Sequence, residues 1–103
     1  MKLFLIAIIN YDNYVPGADM IMVKPAMCYL DIISSLKRNH PNHVISAYHV
    51  SGEYACLWHG ANCGAVNLKS AVIESFQSLR RAGCDVIITY FTLHVLKWLK
   101  DGL

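Results

Sequence analysis

The chain has 103 residues, nine Lys and Arg against seven Asp and Glu, and 16% charged residues beside 55% hydrophobic ones. That length bounds it to one domain, and the apolar content excludes a disordered or low-complexity chain. Soluble domains carry about 25% charged residues on average, so this chain reads as a piece whose partner surface is missing, or as an obligate oligomer.

The net charge of +2 includes one dense basic spot, Arg80-Arg81, which suits a solvated helix end and gives no case for a nucleic-acid partner. The apolar residues 3–9 follow Lys2 and have the outline of a signal peptide. The run is at the lower length limit for one, and residues 10–14 offer no small-x-small cleavage site. Crossing a bilayer takes about 20 apolar residues. The segment therefore reads as a strand or helix packed on the rest, with no membrane partner and a cytoplasmic location. Cys28, Cys56, Cys63 and Cys84 read as reduced, mostly buried thiols, since a chain this apolar has no need of a disulfide framework.

Past Pro16-Gly17 one pattern recurs three times: a short apolar run, a polar turn and an amphipathic stretch. The runs are residues 20–23, 44–50 and 86–90. The first and third are nearly continuous in apolar character, as strands covered on both faces tend to be. Residues 29–38 repeat Tyr29, Leu30, Ile33 and Leu36 at helical spacing, with Asp31 early, Lys37-Arg38 late, and Asn39 and Pro41 as the stop. Asn67 is a plausible N-cap for a helix with the stripe Leu68, Val72, Phe76 and Leu79, closed by Gly83. Residues 93–100 stack Leu93, Leu96 and Leu99 in a last helix. Residues 51–66 contain Gly52, Gly60 and Gly64, and read as a loop with one helical turn at most. The alternation predicts an α/β fold with a parallel sheet.

In such folds chemistry sits where strands end, and Lys24, Ser51 and Tyr90 occupy those ends. An amine kept in apolar surroundings loses its charged form and can attack a carbonyl to give an imine; the bland reading of Lys24 is an ammonium that reaches water. Ser51, beside Gly52, could hold a carboxylate or be an ordinary turn serine. Its surroundings, Val-Ser-Gly-Glu, are not a nucleophile elbow. Tyr90 could donate to the same anion or be a core aromatic. Cys56, His59 and Cys63 have a permissive C-x2-H-x3-C spacing but no recognisable fourth ligand, so no metal ligands are assigned in this chain. His49 reads as a packed, hydrogen-bonded histidine.

Read together, several segments resemble the C-terminal part of the porphobilinogen synthase, or delta-aminolevulinic acid dehydratase, family. They are Gly-Ala-Asp-Met-Ile-Met-Val-Lys-Pro at 17–25, Tyr-Leu-Asp-Ile at 29–32, Tyr-His-Val-Ser-Gly-Glu-Tyr at 48–54, Leu-Trp-His-Gly at 57–60, Arg-Arg-Ala-Gly at 80–83, Ile-Ile-Thr-Tyr at 87–90 and Trp-Leu-Lys at 98–100. The resemblance implies the last three βα units of a (β/α)8 TIM barrel over residues 17–103, an incomplete barrel, with residues 1–16 an unrelated N-terminal segment. It implies a lyase that condenses two 5-aminolevulinate molecules to porphobilinogen in haem and tetrapyrrole biosynthesis. Lys24 matches the family's Schiff-base lysine, Ser51 and Tyr90 the pair holding the substrate carboxylate, and Tyr48 the apolar wall beside them. The family uses zinc, but its ligands, a second lysine and the arginines for the second substrate all match positions upstream of this chain. The family is a homo-octamer. The alternative expectation is an inactive fragment with half an active site, which self-associates or pairs with full-length subunits.

Overall fold

The structure, a computed structural model, describes residues 3–6 and 17–102. Its elements are β1 (Leu3–Ile6), β2 (Met20–Val23), a 3-10 turn (Met27–Tyr29), α1 (Leu30–Asn39), β3 (Val44–His49), α2 (Ser51–Asn62), α3 (Leu68–Ala82), β4 (Val86–Thr89) and α4 (Thr92–Lys100). The four strands form one parallel sheet in the order β1-β2-β3-β4. The three expected strands are present, and β1 adds a fourth at the edge.

Local chemistry explains the helix limits. The Asn67 side chain caps α3 by accepting the Ser70 N–H at 3.0 Å. Gly83 closes it in the left-handed region at φ 107°, where a Cβ would also meet Lys37 side-chain atoms at 2.8 Å. Residues 51–66 are the chief departure from the sequence reading, because α2 fills 51–62 with a twelve-residue helix. Gly52 and Gly60 are tolerated inside it, while Tyr54, Leu57, Trp58 and Ala61 recur at helical spacing on its half-buried side. Tyr54 of α2 packs on Phe91 (ring centroids 4.6 Å), and Trp58 on His94 of α4 (5.8 Å).

The two faces of the sheet differ. Successive strand residues point to opposite sides. Ile21, Val23, Ile45 and Ala47 are buried in one core with Ile33 and Leu36 of α1 and Leu79 of α3. The other face presents Val44, Val86 and Ile88, each about two-fifths exposed. This corrects the expectation that β4 is covered on both faces: β4 is an edge strand with Val86 and Ile88 exposed, whereas Met22 and Ser46 on the same face of β2 and β3 are buried. The thiols are a second correction. Only Cys84 is buried, while Cys28, Cys56 and Cys63 are free and exposed, because they lie on outward turns and helix faces. The leucines of α4 likewise face outward, Leu93 at 79% exposure.

Asp85 sets how β4 meets β3. Its N–H donates to the Ile45 carbonyl (2.7 Å), and its carboxylate accepts the Ile45 N–H (2.9 Å) and the Lys37 ammonium (2.8 Å). The bond from Ile45, followed by that from Lys37, holds the Asp85 carboxyl below the usual aspartate range. A carboxyl lowered on folding stabilises the fold above its unfolded value and loses that contribution as pH falls through its folded value. Asp85→Asn is therefore expected to lower the urea midpoint at pH 7 and to flatten its decline between pH 5 and 3, as followed by circular dichroism. Parallel curves for the two proteins would show that Asp85 has no such part.

Candidate active site

The register of β2, β3 and β4 builds the site. Val23 pairs with Ala47 and Ala47 with Ile87, and in the next row Tyr48 pairs with Ile88. Tyr90 stands two residues beyond Ile88 and so on the same face. Tyr48 and Tyr90 thus share one face, and Lys24, the residue after β2, stands at the C-terminal end of the strand next to β3. Lys24 is half-buried rather than enclosed, and Tyr90 is 53% exposed.

Tyr48 does more than form an apolar wall. Its hydroxyl donates to the Tyr90 hydroxyl at 2.8 Å, leaving the Tyr90 proton free for another acceptor. That bond, with lesser contributions from desolvation and from the Tyr90 charge, raises the Tyr48 phenol above the ordinary tyrosine value. The Tyr54 ring lies 5.5 Å from that of Tyr90. Beneath them His49 is fully buried, with Nδ1 3.3 Å from Thr89 Oγ1, and Thr89 Oγ1 also accepts the Phe91 N–H at 3.1 Å. Burial lowers the His49 pKa, so the imidazole is neutral at pH 7 and ties β3 to β4 without adding charge.

Ser51 is the first residue of α2, exposed, rather than part of a loop. The N–H groups of the first helical turn have no intrahelical acceptor, which makes such a position favourable for a carboxylate. Glu53 joins the two halves of the site. Its carboxylate accepts the Val50 N–H (2.8 Å), the Ala26 N–H (3.1 Å) and the Met27 N–H. The segment just after Lys24-Pro25 is therefore bonded to the start of the helix that carries Ser51. Tyr48 and Tyr90 touch directly; Lys24 and Ser51 are linked through this carboxylate and the backbone.

Sequence reasoning passed over Glu53 because 51–66 read as a loop. The signal was present: a glutamate three residues past Val50, where it can reach back to the N-cap amide. Cys56, His59 and Cys63 all lie on the exposed side or end of α2. Among the described residues no group of three or more His, Cys, Asp or Glu could hold a metal ion. The residues present do not fit a zinc site, and no chemistry is drawn through one.

A parallel sheet with α1 and α3 packed on one face has the architecture of part of a (β/α)8 barrel. The comparisons agree on which barrel family. A sequence model of the family described as Delta-aminolevulinic acid dehydratase matches residues 8–98. Delta-aminolevulinic acid dehydratase of Pongo abelii is 56% identical over 85 residues, covering 82% of this chain and 26% of that protein. The Halalkalibacterium halodurans enzyme is 45% identical over the same shares. A crystal structure of the Toxoplasma gondii ME49 enzyme with its product porphobilinogen superposes with a TM-score of 0.81 at 41% identity, covering 84% of this chain and 24% of that one. The chain belongs to the delta-aminolevulinic acid dehydratase family, and it spans about a quarter of the length of the curated relatives it matches.

The Tyr48–Tyr90 bond has a direct spectroscopic consequence. In a near-ultraviolet phenolate titration, Tyr90→Phe is expected to return Tyr48 toward the ordinary tyrosine value and so lower the high-pH limb. An unchanged high-pH limb would show that the two hydroxyls are not bonded in solution.

Proposed function

We propose that this chain carries one substrate half-site of porphobilinogen formation, in which Lys24 forms an imine with 5-aminolevulinate. The Lys24 amine adds to the ketone carbon and water leaves, so that a C=N bond replaces C=O. The iminium acidifies the neighbouring carbon. The substrate carboxylate is held at the other end by the Tyr90 hydroxyl, which Tyr48 leaves free to donate, by Ser51, and by the open amides of the first turn of α2. Anchoring both ends of one substrate fixes its orientation for attack.

The observation that supports this reading is the Tyr48–Tyr90 hydroxyl bond at the ends of two strands, beside the strand that leads into Lys24. The strong identity to enzymes named for this activity supports it. Residues 17–103 are the barrel piece in this reading, with β1 (Leu3–Ile6) joined to the edge of its sheet and the family match beginning at residue 8. Condensation of two substrates to porphobilinogen belongs to the whole enzyme. In this reading these 103 residues supply the binding of one substrate, and the zinc ligands, second lysine and arginines that the resemblance implies come from residues outside them. Full turnover requires that those residues be joined to this half-site, within one polypeptide or between subunits, in an assembly of the family's octameric kind. Among the described residues no helix is long and apolar enough to cross a membrane, and a cytoplasmic location is part of the proposal.

Borohydride reduction in the presence of 5-aminolevulinate, followed by peptide mass analysis, tests this directly. The expected result is an adduct on Lys24, none in Lys24→Ala, and porphobilinogen at background. Labelling spread evenly over the lysines, or no adduct at all, would remove the half-site.

A further inference from the structure

We infer that Glu53 is a positioning residue that fixes the distance between the Lys24 strand end and the Ser51 helix start. The inference rests on the imine reading above and deepens it. Glu53 is half-buried at the third position of α2. Its Oε2 accepts the N–H groups of Val50 (2.8 Å) and Ala26 (3.1 Å), and its Oε1 accepts that of Met27. A simple helix cap explains only the first of these. The other two reach 27 and 26 residues back along the chain, into a different segment.

The position of those two amides matters. Pro25 has no N–H, so Ala26 and Met27 carry the first backbone donors after Lys24, and both go to this one carboxylate. Three N–H groups aimed at two anionic oxygens form strong, charge-assisted bonds. Their loss would leave part-buried donors without an acceptor. A substrate held at its ketone by residue 24 and at its carboxylate by residues 51 and 90 needs both anchors at constant separation. Glu53 is the side chain bonded to both segments at once.

Two substitutions separate this role from ordinary capping. In Glu53→Gln one oxygen becomes NH2, so whichever way the amide turns, at least one of the three N–H groups faces another donor. Glu53→Asp is one methylene shorter; it can still cap the Val50 amide but falls short of Ala26 and Met27. Both are read by the 5-aminolevulinate concentration that gives half-maximal borohydride trapping at Lys24, and by amide hydrogen exchange. Ile33→Val, which loosens the core away from the site, serves as the stability control.

The expected result is that both variants need about tenfold more 5-aminolevulinate, the equivalent of one lost charge-assisted bond. In both, the Ala26 and Met27 amides exchange faster. Glu53→Asp retains protection at Val50 and melts close to the parent, and Ile33→Val traps like the parent. Unchanged trapping in Glu53→Asp while the Ala26 and Met27 amides open would overturn the positioning role, as would unchanged protection of those amides in Glu53→Gln. If the parent chain forms no adduct, the imine reading fails on its own, and the exchange of Ala26 and Met27 decides whether the clamp exists.

Discussion

The site depends on the unshifted parallel register of β2, β3 and β4. With Val23, Ala47 and Ile87 in one row, the chain next reaches Lys24 after β2 and Tyr48 within β3, and Tyr90 lies just past the end of β4. Side chains alternate along a strand, so a slip of one residue would turn that strand's side chains to the opposite face. Two devices oppose such a slip between β3 and β4. At the N-terminal end, Asp85 and Ile45 bond to each other twice, through backbone and carboxylate. At the C-terminal end, buried His49 meets Thr89, whose hydroxyl also takes the Phe91 amide. Between β2 and α2, where no strand pairing operates, the Glu53 carboxylate makes the connection.

The unequal faces of the sheet explain the composition. One side packs Ile21, Val23, Ile45 and Ala47 against α1 and α3 as an ordinary core. The other leaves Val44, Val86 and Ile88 exposed along β3 and β4, and α4 presents Leu93, Leu96 and Leu99 to solvent. An apolar surface of this kind belongs to an interior. In a closed (β/α)8 barrel the inner face is filled by layers of side chains from all eight strands. The high hydrophobic fraction therefore reflects barrel-interior residues in a chain that spans about a quarter of the length of its relatives.

Much of this was legible in the residues. The apolar runs located β2, β3 and β4 within a residue or two, and Asn67 and Gly83 marked the limits of α3 because capping is local chemistry. Lys24, Ser51, Tyr48 and Tyr90 could be singled out as strand-end groups or through the family resemblance. What stayed hidden was what tertiary packing decides. The glycines of α2 argued for a loop, yet its aromatic side packs on Phe91 and α4, and that packing outweighs the cost of two helical glycines. Exposure of β4 and of three thiols could not be read from apolar character, which reports where a surface belongs and not whether a neighbour covers it. Glu53 escaped because two of its three partners lie across the sheet, beyond the reach of any local pattern.

The central claim is that three strand ends and one helix start form a single binding surface. Titrating isotope-labelled chain with 5-aminolevulinate while following the backbone amide resonances addresses it most directly. The account predicts that amides of Lys24, of residues 50–52 and of residues 90–91 shift together along one saturation curve, while those of α1 and the middle of α3 stay still. Shifts confined to one of these segments, or segments that saturate at different concentrations, would contradict it.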